Sequence, residues 1–354
     1  MQKTVALLEI GGSHDECILS QLIGLKQQNV KIIFCSTKAM FEKNSFFSNY
    51  IDEFYEITFP KTMIGDFLVM IRLNKWLKQQ KVDVLIANTA QGGHVRNLCL
   101  TSSSKIKFIG IIHTIKMLEK SFTQSLISRK IKHYFVLNDT LKSFISPNSP
   151  IRVDSFYPLS FPNYSSRIDK PNDQIWIAII GGVENRRKDL SGFIEMASQT
   201  SENIHFYFLG KSNHQSENTI EFKKQLSEYK LEKRVHLFDD FLTQETFDNY
   251  LNQINGIFPL VHPNTSSAEE YFTRQIPGAI NIAFGYKIPM MIHSHYQNWE
   301  DFNKGVVFYD LNNFKQQFDR FINQQIELKN QLIDNPKFKT EFQNQLFANS
   351  VLNY

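Results

Sequence analysis

Residues 175–190 read IWIAIIGGVENRRKDL and residues 4–13 read TVALLEIGGS, so the chain twice runs an apolar strand into a Gly-Gly turn. Apolar runs of this kind suit parallel strands covered on both faces, and glycine at the strand end lets the backbone pass close to a bound group. A helical pattern follows each turn, with Ile18, Leu22 and Leu25 on one face of the first and Leu190 to Ser198 forming the second. Another apolar strand comes next in both places, Val30 to Cys35 and His205 to Leu209. Each half therefore opens as a right-handed βαβ unit.

The alternation continues outward from these two openings. The first half predicts a helix over Met63–Gln80 and strands at Val82–Ala87, Phe108–His113 and Tyr134–Leu137. The second predicts helices at Glu217–Tyr229 and Gln244–Gln253, with strands at Val235–Phe238, Ile257–Leu260 and Met290–Ile292. Between Phe144 and Asp173 the pattern dissolves among Pro147, Pro150, Pro158, Pro162 and Pro171, which marks a boundary. The expected class is α/β: one Rossmann-like domain over residues 1–165, a second over 172–335, and a last helix within 336–354 crossing back onto the first. Two such halves facing one another leave a cleft at the carboxyl ends of their strands, where open α/β sheets hold ligands.

A chain of 354 residues exceeds what one hydrophobic core organises, and 42% apolar content with 31 Phe argues for a packed interior over disorder. Cys17, Cys35 and Cys99 form no CxxC pair, which gives neither a disulfide framework nor a zinc site. Glu9 breaks the N-terminal apolar run and no stretch reaches the roughly 18 residues a membrane span needs, which points to the cytoplasm. The net charge of +4 favours phosphate-bearing ligands or a peripheral contact with an anionic membrane face. Without zinc-finger spacing or an RNP-like aromatic strand, nucleic acid is not an expected partner. The absence of a P-loop, GxGxxG, HExxH or GxSxG removes the usual support for kinase, dehydrogenase, zinc protease and α/β-hydrolase chemistry.

Gly11-Gly12-Ser13 ends the first strand, where free N–H groups can face an anion or hydroxyl, or the glycines serve a tight turn alone. His14 and Asp15 follow, either able to act as base on an acceptor hydroxyl, although Asp15 or Glu16 also suits the helix dipole. His113 closes the run FIGIIH, where a polar side chain either emerges from an apolar strand into the cleft or is a satisfied core histidine. After Gly182, the cations Arg186, Arg187 and Lys188 precede a helix start, a placement that opposes the dipole unless an anion sits among them. A diphosphate meets that need, and a solvated basic loop is the alternative. The stretch 259–289 then offers Ser266, Glu269 and Glu270 to a ribose or sugar, and adjacent glutamates cannot both face one ligand from a helix.

These features resemble the GT-B glycosyltransferases, in particular the retaining glycosyltransferase 4 type, over nearly the whole chain. The opening strand-GGSHDE-helix is similar to that family's acceptor-side glycine turn, His113 to its histidine near the donor sugar, and Lys188 to its phosphate-binding lysine. The segment VHLFDDFLTQETFDNYLNQINGIFPLVHP is similar to the strands and proline run before the family's donor loop. Val183 stands where the family has arginine, leaving Arg186 or Arg187 to substitute. Of the family's spaced glutamate pair, Glu269 or Glu270 stands for the first and the second falls near Asn281.

The resemblance implies catalytic roles for His113, Arg187 and Lys188, and donor binding by Gly182, Arg186, Ser266, Glu269, Glu270 and Asn281. Gly11, Gly12, Ser13, His14 and Asp15 fall on the acceptor side. The implied activity is a retaining, metal-independent transfer from a nucleotide-sugar to a glycan, lipid-linked glycan or other hydroxyl acceptor, as in polysaccharide biosynthesis. The nucleotide-sugar is then a substrate and no cofactor is expected. Alternatives on the same architecture are a sugar-nucleotide epimerase and a catalytically silent sugar- or nucleotide-binding protein.

Overall fold

Seven segments of the first half pair as one parallel sheet: β1 (Thr4–Glu9), β2 (Lys31–Ser36), β3 (Glu53–Glu56), β4 (Val84–Ala87), β5 (Lys107–Ile111), β6 (His133–Val136) and β7 (Arg152–Ser155). Six of the second half form another: β8 (Ile175–Ile180), β9 (Ile204–Lys211), β10 (Val235–Phe238), β11 (Gly256–Ile257), β12 (Met290–His293) and β13 (Val306–Tyr309). The structure is a computed structural model and describes residues 2–12, 14–60, 62–102, 105–213 and 216–354. The chain divides into unit 1, residues 1–161 and 339–354, and unit 2, residues 162–338.

The strand orders are β3-β2-β1-β4-β5-β6-β7 and β10-β9-β8-β11-β12-β13, and each starts with the doubly wound order that reverses between its first and fourth strands. Three strands escape the sequence reading, β3, β7 and β13, and all three lie at a sheet edge. β3 (EFYE) and β7 (RVDS) are only partly covered, so neither shows the apolar run that marks a strand buried on both faces. β7 also falls inside the proline-rich stretch that reads as patternless. In β11 only Gly256 and Ile257 join the ladder, and the chain then leaves the expected strand path as Leu260 turns left-handed at φ 57°.

Phenylalanine supplies much of the second core. Phe193 meets Phe206 and Phe208 edge-on, and Phe258 does the same with Phe314, Phe318 and Phe321. In unit 1 the C-terminal helix Thr340–Leu352 packs on the helix Ile18–Lys26. Gly24 permits that approach, because a Cβ there would sit 2.6 Å from the Asn344 carbonyl oxygen. The segment from Phe156 to Ser160 is tied in as well: Gln343 Oε1 accepts the Tyr157 N–H, and Ser20 Oγ accepts the Ser160 N–H.

Candidate active site at the carboxyl edges of the sheets

The strand order reverses between β1 and β4 in unit 1 and between β8 and β11 in unit 2, and the carboxyl ends of strands at such a point are where open α/β sheets hold ligands. Polar side chains gather at both places.

In unit 1 the last residue of β1, Glu9, is only 1% exposed. Its Oε1 accepts the Gly11 N–H at 2.5 Å, while Oε2 accepts Asn88 Nδ2 and Thr89 Oγ1, both at 2.7 Å. Burial raises the Glu9 carboxyl above its ordinary value, and these hydrogen bonds offset part of that. Asn88, just beyond β4, also donates to the His14 carbonyl at 2.9 Å and accepts from Gln21 at 2.6 Å, so it clamps the glycine turn from the neighbouring strand. Gly12 is left-handed at φ 72° and His14 at φ 63°, which curls this turn over the sheet end.

The curl lays the His14 ring on His113, with centroids 3.6 Å apart and planes 10° from parallel. His113 Nε2 lies 2.8 Å from the Asn88 carbonyl, which makes it the donor nitrogen, and the buried Nδ1 has no hydrogen-bond partner. Burial, reinforced by the neighbouring His14, pushes His113 down to about 4. Burial also opposes charge on His14, but Glu16 at 3.3 Å together with Glu9 and Asp15 raises it above its usual value. The stack therefore holds its proton on His14 and presents a bare nitrogen on His113. Proton NMR should show His113 neutral down to about pH 4 and His14 titrating above 6.5. Two rings titrating together near 6.5 would contradict the stack.

Asp15 belongs to the same turn but is engaged elsewhere, by Lys43 Nζ at 2.8 Å and Asn44 Nδ2 at 3.0 Å. Ser13 lies outside the described residues. The cluster brings together Gly11, Gly12, His14 and His113, and adds Glu9, Asn88 and Thr89, which the sequence reading did not single out. Glu9 carried a signal all the same, as a carboxylate closing an otherwise apolar strand.

In unit 2 the turn after β8 is set by close backbone contact. Gly181 is left-handed at φ 93°, and a Cβ on Gly182 would collide with the Lys211 carbonyl of β9. The chain then returns so that Lys188 Nζ lies against Gly181, 3.1 Å from where a Cβ would stand. Lys188 is 5% exposed, with Glu184 Oε1 at 3.9 Å. Burial pushes this ammonium down to about 8. Arg187 is exposed and bound to Glu184, its Nε at 2.6 Å, and Arg186 is exposed.

Asp189 follows as the N-cap of the helix Leu190–Ser198, accepting the Gly192 N–H at 2.9 Å. Its other oxygen lies 2.7 Å from His262 Nδ1, and His262 Nε2 lies 2.6 Å from the Tyr309 hydroxyl. With Nδ1 donating to the carboxylate, Nε2 is left to accept the Tyr309 proton, which completes a buried chain across β8, β11 and β13. The Asp189 N–H donates to the carbonyl of left-handed Leu260 at 2.9 Å, so the strained residue is held by the cluster it serves. The Arg186 carbonyl accepts the Ser267 N–H at 3.1 Å and the Ser266 hydroxyl at 3.4 Å, which stitches the loop after β11 to the cationic turn.

The other residues expected on the donor side lie further along. Glu269 is exposed and paired with Arg274 at 3.2 Å, and Glu270 is half-buried on the same short helix, Ala268–Thr273. Asn281 is buried in the helix Gly278–Tyr286 and its Oδ1 has no hydrogen-bond partner. Among the described residues, no three His, Cys, Asp or Glu side chains converge as a metal site. A concavity of about 990 Å³ lined by Asn303, Gln324, Glu327 and Asn335 touches none of these residues. His262 was legible only as part of PLVHP; its tie to Asp189, 73 positions earlier, was not.

No protein-family model and no curated protein matches the chain. Solved structures do match it over nearly full length. A glycosyltransferase from Rickettsia africae superposes with TM-score 0.69 at 12% identity, covering 99% of both chains. Anabaena HepE in complex with UDP-glucose gives 0.67 at 12% identity, covering 99% of this chain and 100% of that one. A UDP-N-acetylglucosamine 2-epimerase gives 0.58 at 12% identity, covering 100% and 97%. The fold is thus the α/β GT-B type, two Rossmann-like domains each built on a parallel sheet.

Proposed function

We propose that the chain is a glycosyltransferase using a nucleotide-sugar donor, held by unit 2 at the turn after β8. The observation that carries this reading is Lys188, an ammonium buried at the β8/β11 switch point whose ion-pair partner among the described residues is a carboxylate as far off as 3.9 Å. A buried cation so weakly paired is costly unless a ligand supplies negative charge. A diphosphate does so, and HepE, which shares the fold, is solved with UDP-glucose. Asp189 and His262 fix the turn, Arg187 can leave Glu184 to meet a phosphate, and the orphaned Asn281 oxygen can accept a ribose or sugar hydroxyl.

In the reaction we infer, the bond between the anomeric carbon and the diphosphate oxygen breaks, and its electron pair leaves with the phosphate. Lys188 and a neighbouring arginine stabilise that charge as it develops, without a metal ion. The acceptor hydroxyl attacks from the same face and passes its proton to the departing oxygen, so configuration is retained. The Glu9, His14 and His113 cluster is assigned to the acceptor side; the His113 nitrogen, held near 4, is a poor base but a competent hydrogen-bond acceptor.

A second reading is a sugar-nucleotide epimerase, favoured by the epimerase of the same fold. Incubation with UDP-, GDP-, ADP- and CMP-sugars separates the two. Transfer predicts nucleoside diphosphate release that rises with added glycan or lipid-linked acceptor. An epimeric nucleotide-sugar formed without acceptor supports the second reading, and binding without turnover of any donor removes both.

A further inference from the structure

The helix Met63–Gln79 of unit 1 exposes the wrong residues for water. Met70, Leu73 and Leu77 are buried, and Asn74 ties the helix to its neighbour Gly92–Thr101 through the Leu98 carbonyl at 2.9 Å. The opposite face should be polar. Its first nine residues instead present Ile64 at 78% exposure, Phe67 at 38%, Leu68 at 45% and Ile71 at 41%. Arg72, Lys75 and Lys78, all exposed, continue the same face. At 3.6 residues per turn the seven side chains fall within an arc of roughly 140° along about 21 Å of axis.

The helix Gly92–Thr101 packs on this one, Phe122–Lys130 packs on Gly92–Thr101 in turn, and the two leave Leu100 and Phe122 exposed. Together the three helices carry six Lys or Arg against the single carboxylate of Asp66, a surplus larger than the +4 of the whole chain. Asp66 is itself paired with His94 at 3.3 Å. Ile64, Phe67, His94 and Arg96 line a shallow groove of about 510 Å³ beside the stripe.

We propose that this face docks on the surface of an anionic lipid bilayer. The four apolar side chains enter the boundary between headgroups and acyl chains, and Arg72, Lys75 and Lys78 pair with acidic headgroups. Charge decides the occupant: a second copy of the chain would set like charges against one another, whereas an anionic surface complements them. No helix among the described residues is long and apolar enough to cross a membrane, so the contact is an in-plane one. The inference stands apart from the nucleotide-sugar reading.

Co-sedimentation of the full chain with vesicles tests it. Binding is expected to vesicles of phosphatidylcholine with about a third phosphatidylglycerol, but not to phosphatidylcholine alone, and to weaken in high salt. Arg72→Gln with Lys75→Gln and Lys78→Gln should lower binding about a hundredfold, at about one kcal/mol for each cation. Phe67→Ser with Ile71→Ser should abolish it, with an unchanged melting temperature showing both variants folded. Equal binding to both vesicle types, binding unmoved by either variant, or self-association that these substitutions abolish would each overturn the proposal.

Discussion

Lys188→Met should raise the melting temperature of the protein by a few degrees and abolish its stabilisation by a nucleotide-sugar donor. The two effects share one cause. Burial lowers the ammonium from 10.5 to about 8, which at 1.36 kcal/mol per pKa unit corresponds to about 3 kcal/mol of penalty on the charged form at neutral pH. Methionine fills similar space without that penalty, so the free protein gains stability. The donor complex loses the charge that offsets the leaving phosphate, and turnover should fall by about 10² to 10³.

The pH dependence separates the two roles of Lys188. Between about 8 and 10.5 the unfolded chain holds more protons at this site than the folded one, so the wild type gains stability as pH rises through that window. Affinity for UDP moves the other way, weakening up to about tenfold per pH unit above 8 as the ammonium is lost. Calorimetric titration with UDP from neutral to alkaline pH checks this, and the methionine variant should show no such slope. A donor-induced thermal shift that survives in the variant would remove Lys188 from the site.

Asp189→Ala should cost about 4 kcal/mol, roughly 10 °C, more than other single changes at the edge of β8. The alanine leaves the helix Leu190–Ser198 uncapped and His262 Nδ1 buried without its acceptor, so nothing fixes the ring that accepts from Tyr309. Asp189→Asn keeps a cap oxygen and should recover more than half of the loss. Burial alone would raise the Asp189 carboxyl, but the His262 and Gly192 hydrogen bonds hold it below its usual 3.8. Its contribution is therefore complete above 3.8 and is lost as pH falls through the lower folded value, so wild type and Asp189→Asn should converge in acid. Thermal unfolding across that range measures the convergence; a gap that persists into acid would mean the carboxylate charge is not what stabilises the cluster.

Much of the architecture was legible because buried parallel strands write themselves as apolar runs. β1 and β8 stand out for that reason, and the Gly-Gly turns after them locate two of the strand ends that matter. The cations of the second turn were legible too, but not their inequality: Lys188 is buried while Arg186 and Arg187 are exposed. Local periodicity reports which face of an element is covered, and it carries no record of which distant strand lies alongside.

That record is what the tertiary structure supplied. The sequence by itself determined two βαβ openings, the residues available at each turn and the apolar runs that make the sheets. Strand order then set Asn88 beside Glu9 across 79 positions and His262 beside Asp189 across 73. The physical reason is that a buried polar group must find a partner, and only the crossover that inserts β4 next to β1, or β11 next to β8, decides which side chain is within reach.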